Sequence, residues 1–198
     1  MSLVKAYLFI FLILLVDQIS KIYIKTHFVL GEEVEVLSWF KILFIENEGM
    51  AWGTKIPGEF GKLFLTLFRI VAVGGIAWWL SDSVKKHGST ILIVAVSLIL
   101  AGAAGNIIDS IFYGVTFNHS EHQVATAFSD QPYGTWFHGK VVDMLYFPIW
   151  SGFLPSWIPI WGGTYFTFFN AIFNIADMAI STGVGMLLVF NKKAFPNG

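Results

Sequence analysis

The side chains in this chain best placed to do chemistry are ionisable groups set in apolar surroundings. Asp17 and Lys21 interrupt the apolar run 3–24, Arg69 lies inside the run 63–80, and Asn106 and Asp109 close the run 90–108. Asn174, Asp177 and Ser181 fall within 170–190, spaced i, i+3, i+7 as on one helix face. Asp143 stands in Gly139-Lys140-Val141-Val142-Asp143-Met144, whose apolar neighbours point to burial. Charged groups in such places are costly and are functional candidates by default. Two carboxylates brought close in a dry site cannot both ionise cheaply, so one holds a proton while the other stays charged. Such a pair can hydrolyse an amide: the charged member takes a proton from water and the neutral one donates to the scissile carbonyl. Residue types and spacing alone leave open which of Asp17, Asp109, Asp143 and Asp177 form the pair.

The elements that must position these groups follow from composition. Of 198 residues, 56% are hydrophobic and only 13% charged, with a mean hydropathy of +0.68. A soluble domain carries roughly 25% charge, so the chain reads as an integral membrane protein. Four runs, about 3–24, 63–80, 90–108 and 170–190, approach the ~20 apolar residues that cross a bilayer. Helices are the expected form, because an open sheet edge in lipid leaves backbone groups unsatisfied. The fold expected is therefore an all-α membrane protein of one domain, 1–198, with four transmembrane helices and a small extracytoplasmic sheet and loop region. Lys5, Lys85, Lys86, Lys192 and Lys193 fall on one side of four spans, which places both termini in the cytoplasm. The first run lacks a small-x-small cleavage site and is expected to remain as a helix. Counting ~1.5 Å per residue puts the polar groups of all four helices at one depth, the outer third of the membrane.

The long connections 25–62 and 109–169 then face outward. Alternation at Glu33-Val34-Glu35-Val36 and the strand formers Phe40-Lys41-Ile42-Leu43-Phe44 predict a small sheet. The second connection starts polar and becomes rich in Trp and Pro from Pro148 to Trp161, a composition suited to the membrane surface. The formal net charge of −1, with no basic tract, speaks against a nucleic-acid partner. The absence of cysteine excludes disulfides and a thiol nucleophile. His119 and His122 lack a third ligand nearby, so no metal or other cofactor is expected. Ser20 and Lys21, adjacent on a helix, point about 100° apart and cannot act as a Ser/Lys pair. An ion path would spread polar groups along its length, whereas here the inner halves of the runs are apolar.

Five blocks in order carry a resemblance. They are Asp17-Gln18-Ile19-Ser20-Lys21, Asn47-Glu48-Gly49-Met50-Ala51-Trp52, Gly102-Ala103-Ala104-Gly105-Asn106-Ile107-Ile108-Asp109, Val141-Val142-Asp143, and Phe173-Asn174-Ile175-Ala176-Asp177. Together they resemble signal peptidase II, a bacterial four-span aspartyl protease family. The resemblance implies that Asp143 and Asp177 are the catalytic pair. It implies further that Asp17, Lys21, Asn47, Gly49, Asn106, Asp109, Val142 and Asn174 shape the site or contact substrate. The substrate implied is a bacterial prolipoprotein carrying diacylglycerol on the cysteine that follows the cut. Location in the bacterial inner membrane among its lipids, a site near the outer face, and inhibition by globomycin-type cyclic peptides are implied with it.

Two departures from the family pattern stand out. Ser110 follows Asp109 where an arginine is usual, and the connections before and after Asp143 are longer than usual. Arg69, in the outer half of the second run, then has two possible roles: it snorkels to the surface, or it turns inward and supplies the missing cation near Asp109.

Overall fold

The computed structural model describes residues 1–48 and 60–196; Gly49, Met50, Ala51 and Trp52 lie outside the described residues. Among the described residues three helices are long and apolar enough to cross a membrane: α1 (Leu3–His27), α2 (Gly61–Lys85) and α3 (Thr90–Ile108), the last continuing to Thr116. Local chemistry sets their starts. Ser2 caps α1 by accepting the Lys5 amide at 3.4 Å, and Ser89 caps α3 by accepting that of Leu92 at 3.1 Å. Beyond Ile108 the helix widens into a π-helical turn, Asp109–Tyr113, before the single turn α4 (Gly114–Thr116). The wider turn puts Asp109, Ser110 and Tyr113 all inward, and all three are buried.

The fourth apolar helix departs from the expected span of 170–190. It is α5 (Ile175–Val189), 15 residues long, followed by a short turn α6 (Asn191–Ala194). The reason is a capping box: the Asn174 side chain accepts the Asp177 amide at 2.9 Å, and the Asp177 carboxylate accepts the Asn174 amide at 3.3 Å. Asn174 is therefore a cap with extended backbone rather than a helical residue. The helical spacing that grouped it with Asp177 and Ser181 fails accordingly, and Ser181 is exposed.

The connections build two antiparallel sheets. One has the order β1 (Glu33–Leu37), β2 (Phe40–Asn47), β3 (Val141–Tyr146), β6 (Ile172–Phe173); the other pairs β4 (Trp150–Phe153) with β5 (Tyr165–Phe168). The strand pattern at 33–44 anticipated the first hairpin, whereas β3 and β6 are recruited from far along the chain. Ile45 pairs with Asp143 and Leu145 with Phe173, so the sheet delivers Asp143 beside the start of α5.

Two apolar clusters flank this junction. Ala6, Ile10, Leu80, Leu92, Val96 and Leu100 pack between the helices at the end that carries the termini. Ile24, Phe44, Tyr113, Phe117, Val142 and Met144 pack where α1 meets the sheet. The polar residues lie between the two. Close approach of α3 and α5 needs glycine: a Cβ on Gly102 would fall 2.1 Å from the Ala176 carbonyl oxygen, and one on Gly105 2.7 Å from the Asp17 carboxylate. Gly74 in α2 has open space around it. Gly102→Ala is thus expected to lower the melting temperature in detergent, by about 1–3 kcal/mol of overpacking. Gly74→Ala should leave it unchanged or raise it by up to ~1 kcal/mol of helix propensity. Equal melting of the two variants would contradict the packing described.

Candidate active site

Lys21 is the hub of the buried polar layer. Its side chain is fully buried and its ammonium lies 3.0 Å from Asp17, 2.8 Å from Asp109 and 2.9 Å from the Asn106 side-chain oxygen. The i, i+4 spacing of Asp17 and Lys21 makes the first contact local, with acid preceding base as helices prefer. The other two reach across to α3. Asp17 does more than neutralise the lysine. Its Oδ1 accepts the backbone N–H of Ala176 at 2.9 Å, satisfying an unpaired donor in the first turn of α5. One ion pair thereby ties α1, α3 and the start of α5 together.

Gln18, absent from the expected site, completes this layer. Its amide donates to Asp109 at 2.9 Å, Asp17 at 3.1 Å and the Gly105 carbonyl at 3.3 Å, while its oxygen accepts the Tyr113 hydroxyl at 3.1 Å. Its place directly after Asp17 was the available signal.

Above the hub, two amides link two carboxylates. Asn106 donates to Asp177 Oδ1 at 2.8 Å and accepts from Asn174 at 3.1 Å. The same Asn174 amide donates to Asp143 Oδ1 at 2.7 Å and to the Val142 carbonyl at 3.2 Å. Asn47, at the end of β2, donates to the other oxygen of Asp143. Val142 closes the circuit, its backbone N–H reaching Asp109 Oδ2 at 3.4 Å. The chain Asp143, Asn174, Asn106, Asp177 is therefore continuous, and Lys21 anchors it through Asn106. Every buried side-chain nitrogen and oxygen among the described residues has a partner. Of the expected site residues, Asp17, Lys21, Asn47, Asn106, Asp109, Val142, Asp143, Asn174 and Asp177 converge in one network, while Gly49 lies outside the described residues.

Burial, and then the neighbouring charge of Asp177, push the Asp143 carboxyl up to about 8; the Lys21 charge and the Asn174 hydrogen bond pull the other way and lose. At neutral pH Asp143 thus tends to hold a proton beside Asp177. Ser110 stands where the sequence resemblance implies an arginine. Ser110 is buried and donates to the Asn106 carbonyl at 3.0 Å, and Asp109 takes its positive partner from Lys21. Arg69 is half-buried in α2.

A second buried cation lies one turn further along α1. Lys25 pairs with Glu46, donates to the Ser120 hydroxyl at 2.9 Å, and sits 4.8 Å from the Tyr133 ring centroid and 5.3 Å from that of Phe117. Glu46 immediately precedes Asn47, so this cluster pins the end of β2 that holds Asp143. Ser120 and Tyr133 belong to the long connection before Asp143, which gives that connection a definite place in the architecture. The ladder Asp17, Lys21, Lys25 at four-residue spacing was the signal in the sequence.

A bundle of apolar helices, capped by a sheet and holding two linked carboxylates at their junction, defines a membrane protein with a buried acid–base site. Comparison with known proteins carries this further. Residues 9–192 match the family described as Signal peptidase (SPase) II. A lipoprotein signal peptidase of Porphyromonas gingivalis is 52% identical over 201 residues, covering 96% of this chain and 88% of that one. One from Amoebophilus asiaticus is 38% identical over 190 residues, covering 92% and 75%. A solved structure described as a bacterial membrane enzyme, determined by the in meso method at 2.3 Å resolution, shares the fold. Its TM-score is 0.65 at 23% identity, over 99% of this chain and 93% of that one. The chain belongs to the signal peptidase II family.

Two predictions follow from the geometry. Lys21→Met leaves the buried Asp17 and Asp109 without their cation and should cost about 3–5 kcal/mol, read as a large drop in melting temperature in detergent. Asp17→Ala should also lower it, because the Ala176 N–H and Lys21 each lose a partner. The second concerns pH. An acid whose folded pKa is raised binds its proton more tightly when folded, so its contribution is fully present below the unfolded value of about 3.9 and is lost as pH rises through the folded one. Between pH 5 and 8 wild-type stability should fall, and Asp143→Asn should flatten that slope in parallel melting series.

Proposed function

We propose that the chain is an intramembrane aspartyl endopeptidase acting on bacterial prolipoproteins, with Asp143 and Asp177 as its catalytic pair. The observation that carries this reading is the amide-linked pair itself. Two carboxylates from different elements, Asp143 buried and Asp177 half-buried, share one hydrogen-bonded network in which Asp143 favours its protonated form. Asp177, as carboxylate, takes a proton from water, and the water oxygen bonds to the scissile carbonyl carbon. Asp143 donates its proton to the carbonyl oxygen, giving a neutral tetrahedral intermediate. Collapse breaks the C–N bond: the nitrogen takes the proton held on Asp177, and Asp143 recovers one from the intermediate's hydroxyl. Asn47 and Asn174 hold Asp143, Asn106 holds Asp177, and Lys21 with Asp17 and Asp109 holds the asparagines and helix ends in place. Gly49 is proposed to shape the site on the strength of the sequence resemblance alone.

The substrate proposed carries diacylglycerol on the cysteine after the cut. A lipid-anchored substrate arrives sideways through the bilayer, which accounts for a site at membrane depth between helix ends. In this reading the four apolar helices all span, both termini are cytoplasmic, and the site lies near the outer face of the bacterial inner membrane. Membrane lipids surround the domain, and globomycin-type cyclic peptides are expected to inhibit it.

The test is cleavage of a diacylglyceryl-modified prolipoprotein by purified protein. Asp143→Asn and Asp177→Asn should each cut turnover by about 10²–10⁴-fold while the protein stays folded. The wild-type rate should follow a bell-shaped pH profile belonging to the pair. Turnover surviving in both variants, or equal cleavage of unlipidated precursor, would overturn the proposal.

A further inference from the structure

The largest feature that the proposed chemistry leaves unused is the hairpin β4–β5 with its connection 154–164. From Phe147 to Phe173 the chain contains no Asp, Glu, Lys, Arg or His. The hairpin forms its own sheet, apart from the four-stranded one, and turns its large side chains outward: Phe153 is 73% exposed, Trp157 79%, Ile160 92% and Trp161 65%. Ile160 has φ 70°, a conformation that a β-branched residue adopts only under strain. A patch of this kind in water would promote aggregation.

The fold says what covers it. Helix α5 has 15 residues and measures about 22 Å at ~1.5 Å per residue, against a hydrocarbon thickness of about 30 Å. Helices α1 and α2, with 25 residues each, reach about 37 Å on the same count. The chain entering α5 must therefore lie below the level at which α1 and α2 leave the bilayer, and that chain is β5 and β6. Phe147, just before the hairpin, stacks on Phe173 of β6 at 5.6 Å and on Phe40 at 4.8 Å, which roots the hairpin at that depth. The outward faces of the helices are apolar as well, with Val71 75% and Phe64 66% exposed.

We propose that the β4–β5 hairpin is seated in the lipid leaflet on the sheet side, with its tip, residues 157–161, among the upper acyl chains and Trp150 nearer the headgroup level. The hairpin and β6 occupy the depth that α5 does not reach, and the hairpin sets how deep that helix end, with Asp177, sits. This rests on the membrane-embedded fold and not on the peptidase reading.

Because the chain has no cysteine, single probes can be placed cleanly. Ile160→Cys and Trp157→Cys report on the tip, and Glu121→Cys, in the exposed polar connection, serves as the aqueous control. Each full-length variant is spin-labelled, reconstituted in phosphatidylcholine vesicles, and its collision rates with oxygen and with a water-soluble nickel chelate are measured. At 157 and 160 the nickel rate should be about ten-fold below that at 121, with oxygen favoured, as for a probe 5–10 Å into the interface. A tip that reads like position 121 overturns the proposal and leaves the face to water or a protein partner. Spin–spin broadening between labelled tips overturns it in favour of a second copy. Loss of prolipoprotein cleavage in the Asp143 variant bears on the catalytic reading and leaves this result untouched.

Discussion

A single buried ammonium holds the site together. Lys21 has no access to water, and a charge in that position is tolerable only with full compensation, which Asp17, Asp109 and Asn106 provide within 3.0 Å. The compensation is also what connects the helices. Asp17 passes the constraint to the first turn of α5, Asp109 passes it to the Val142 amide on β3, and Asn106 passes it to Asp177 directly and to Asp143 through Asn174. Removing the lysine would therefore unsettle three elements at once. The glycines at 102 and 105 are the steric counterpart of this arrangement, since any side chain there would separate α3 from α5 and Asp17 from its partners.

The two carboxylates differ because their surroundings differ. Asp143 lies on a buried strand and receives an amide on each oxygen, while Asp177 lies half-buried in the first turn of α5 and accepts the Asn174 backbone N–H and the Asn106 amide. Burial pushes Asp143 toward its neutral form in spite of its donors. Unequal environments of this kind let two identical side chains take opposite parts in acid–base chemistry. Asn174 is central to both: it caps the helix that carries one acid and hydrogen-bonds the other.

Around this core two long connections, before and after β3, each have a physical task. The connection before β3 contributes Ser120 and Tyr133 to the Lys25–Glu46 cluster, which stiffens the strand end bearing Asn47. The buried pair contributes mainly by geometry, since the desolvation of two charges offsets much of their attraction. The connection after β3 becomes a charge-free hairpin. Connections of this length cost little in loop-closure entropy, so they can be accommodated without disturbing the helices.

Composition and apolar runs by themselves determined that the chain is a membrane protein built on apolar helices, because too few charges remain to wet a globule of 198 residues. Three spans and the first hairpin were legible as periodicity, and Asp17–Lys21 as a four-residue spacing. Ordered motifs carried the family and the candidate pair by resemblance. Only the tertiary structure decided where α5 begins, because apolar residues 170–173 look helical until Asn174 and Asp177 cap each other and the preceding strand pairs with β3. It alone decided that Lys25 is buried, that Gln18 and Glu46 join the polar networks around Lys21 and Lys25, that Ser181 is exposed, and that Lys21 partners Asp109. Those outcomes depend on which elements meet, and contacts between residues nearly a hundred positions apart leave no periodicity in the sequence to read.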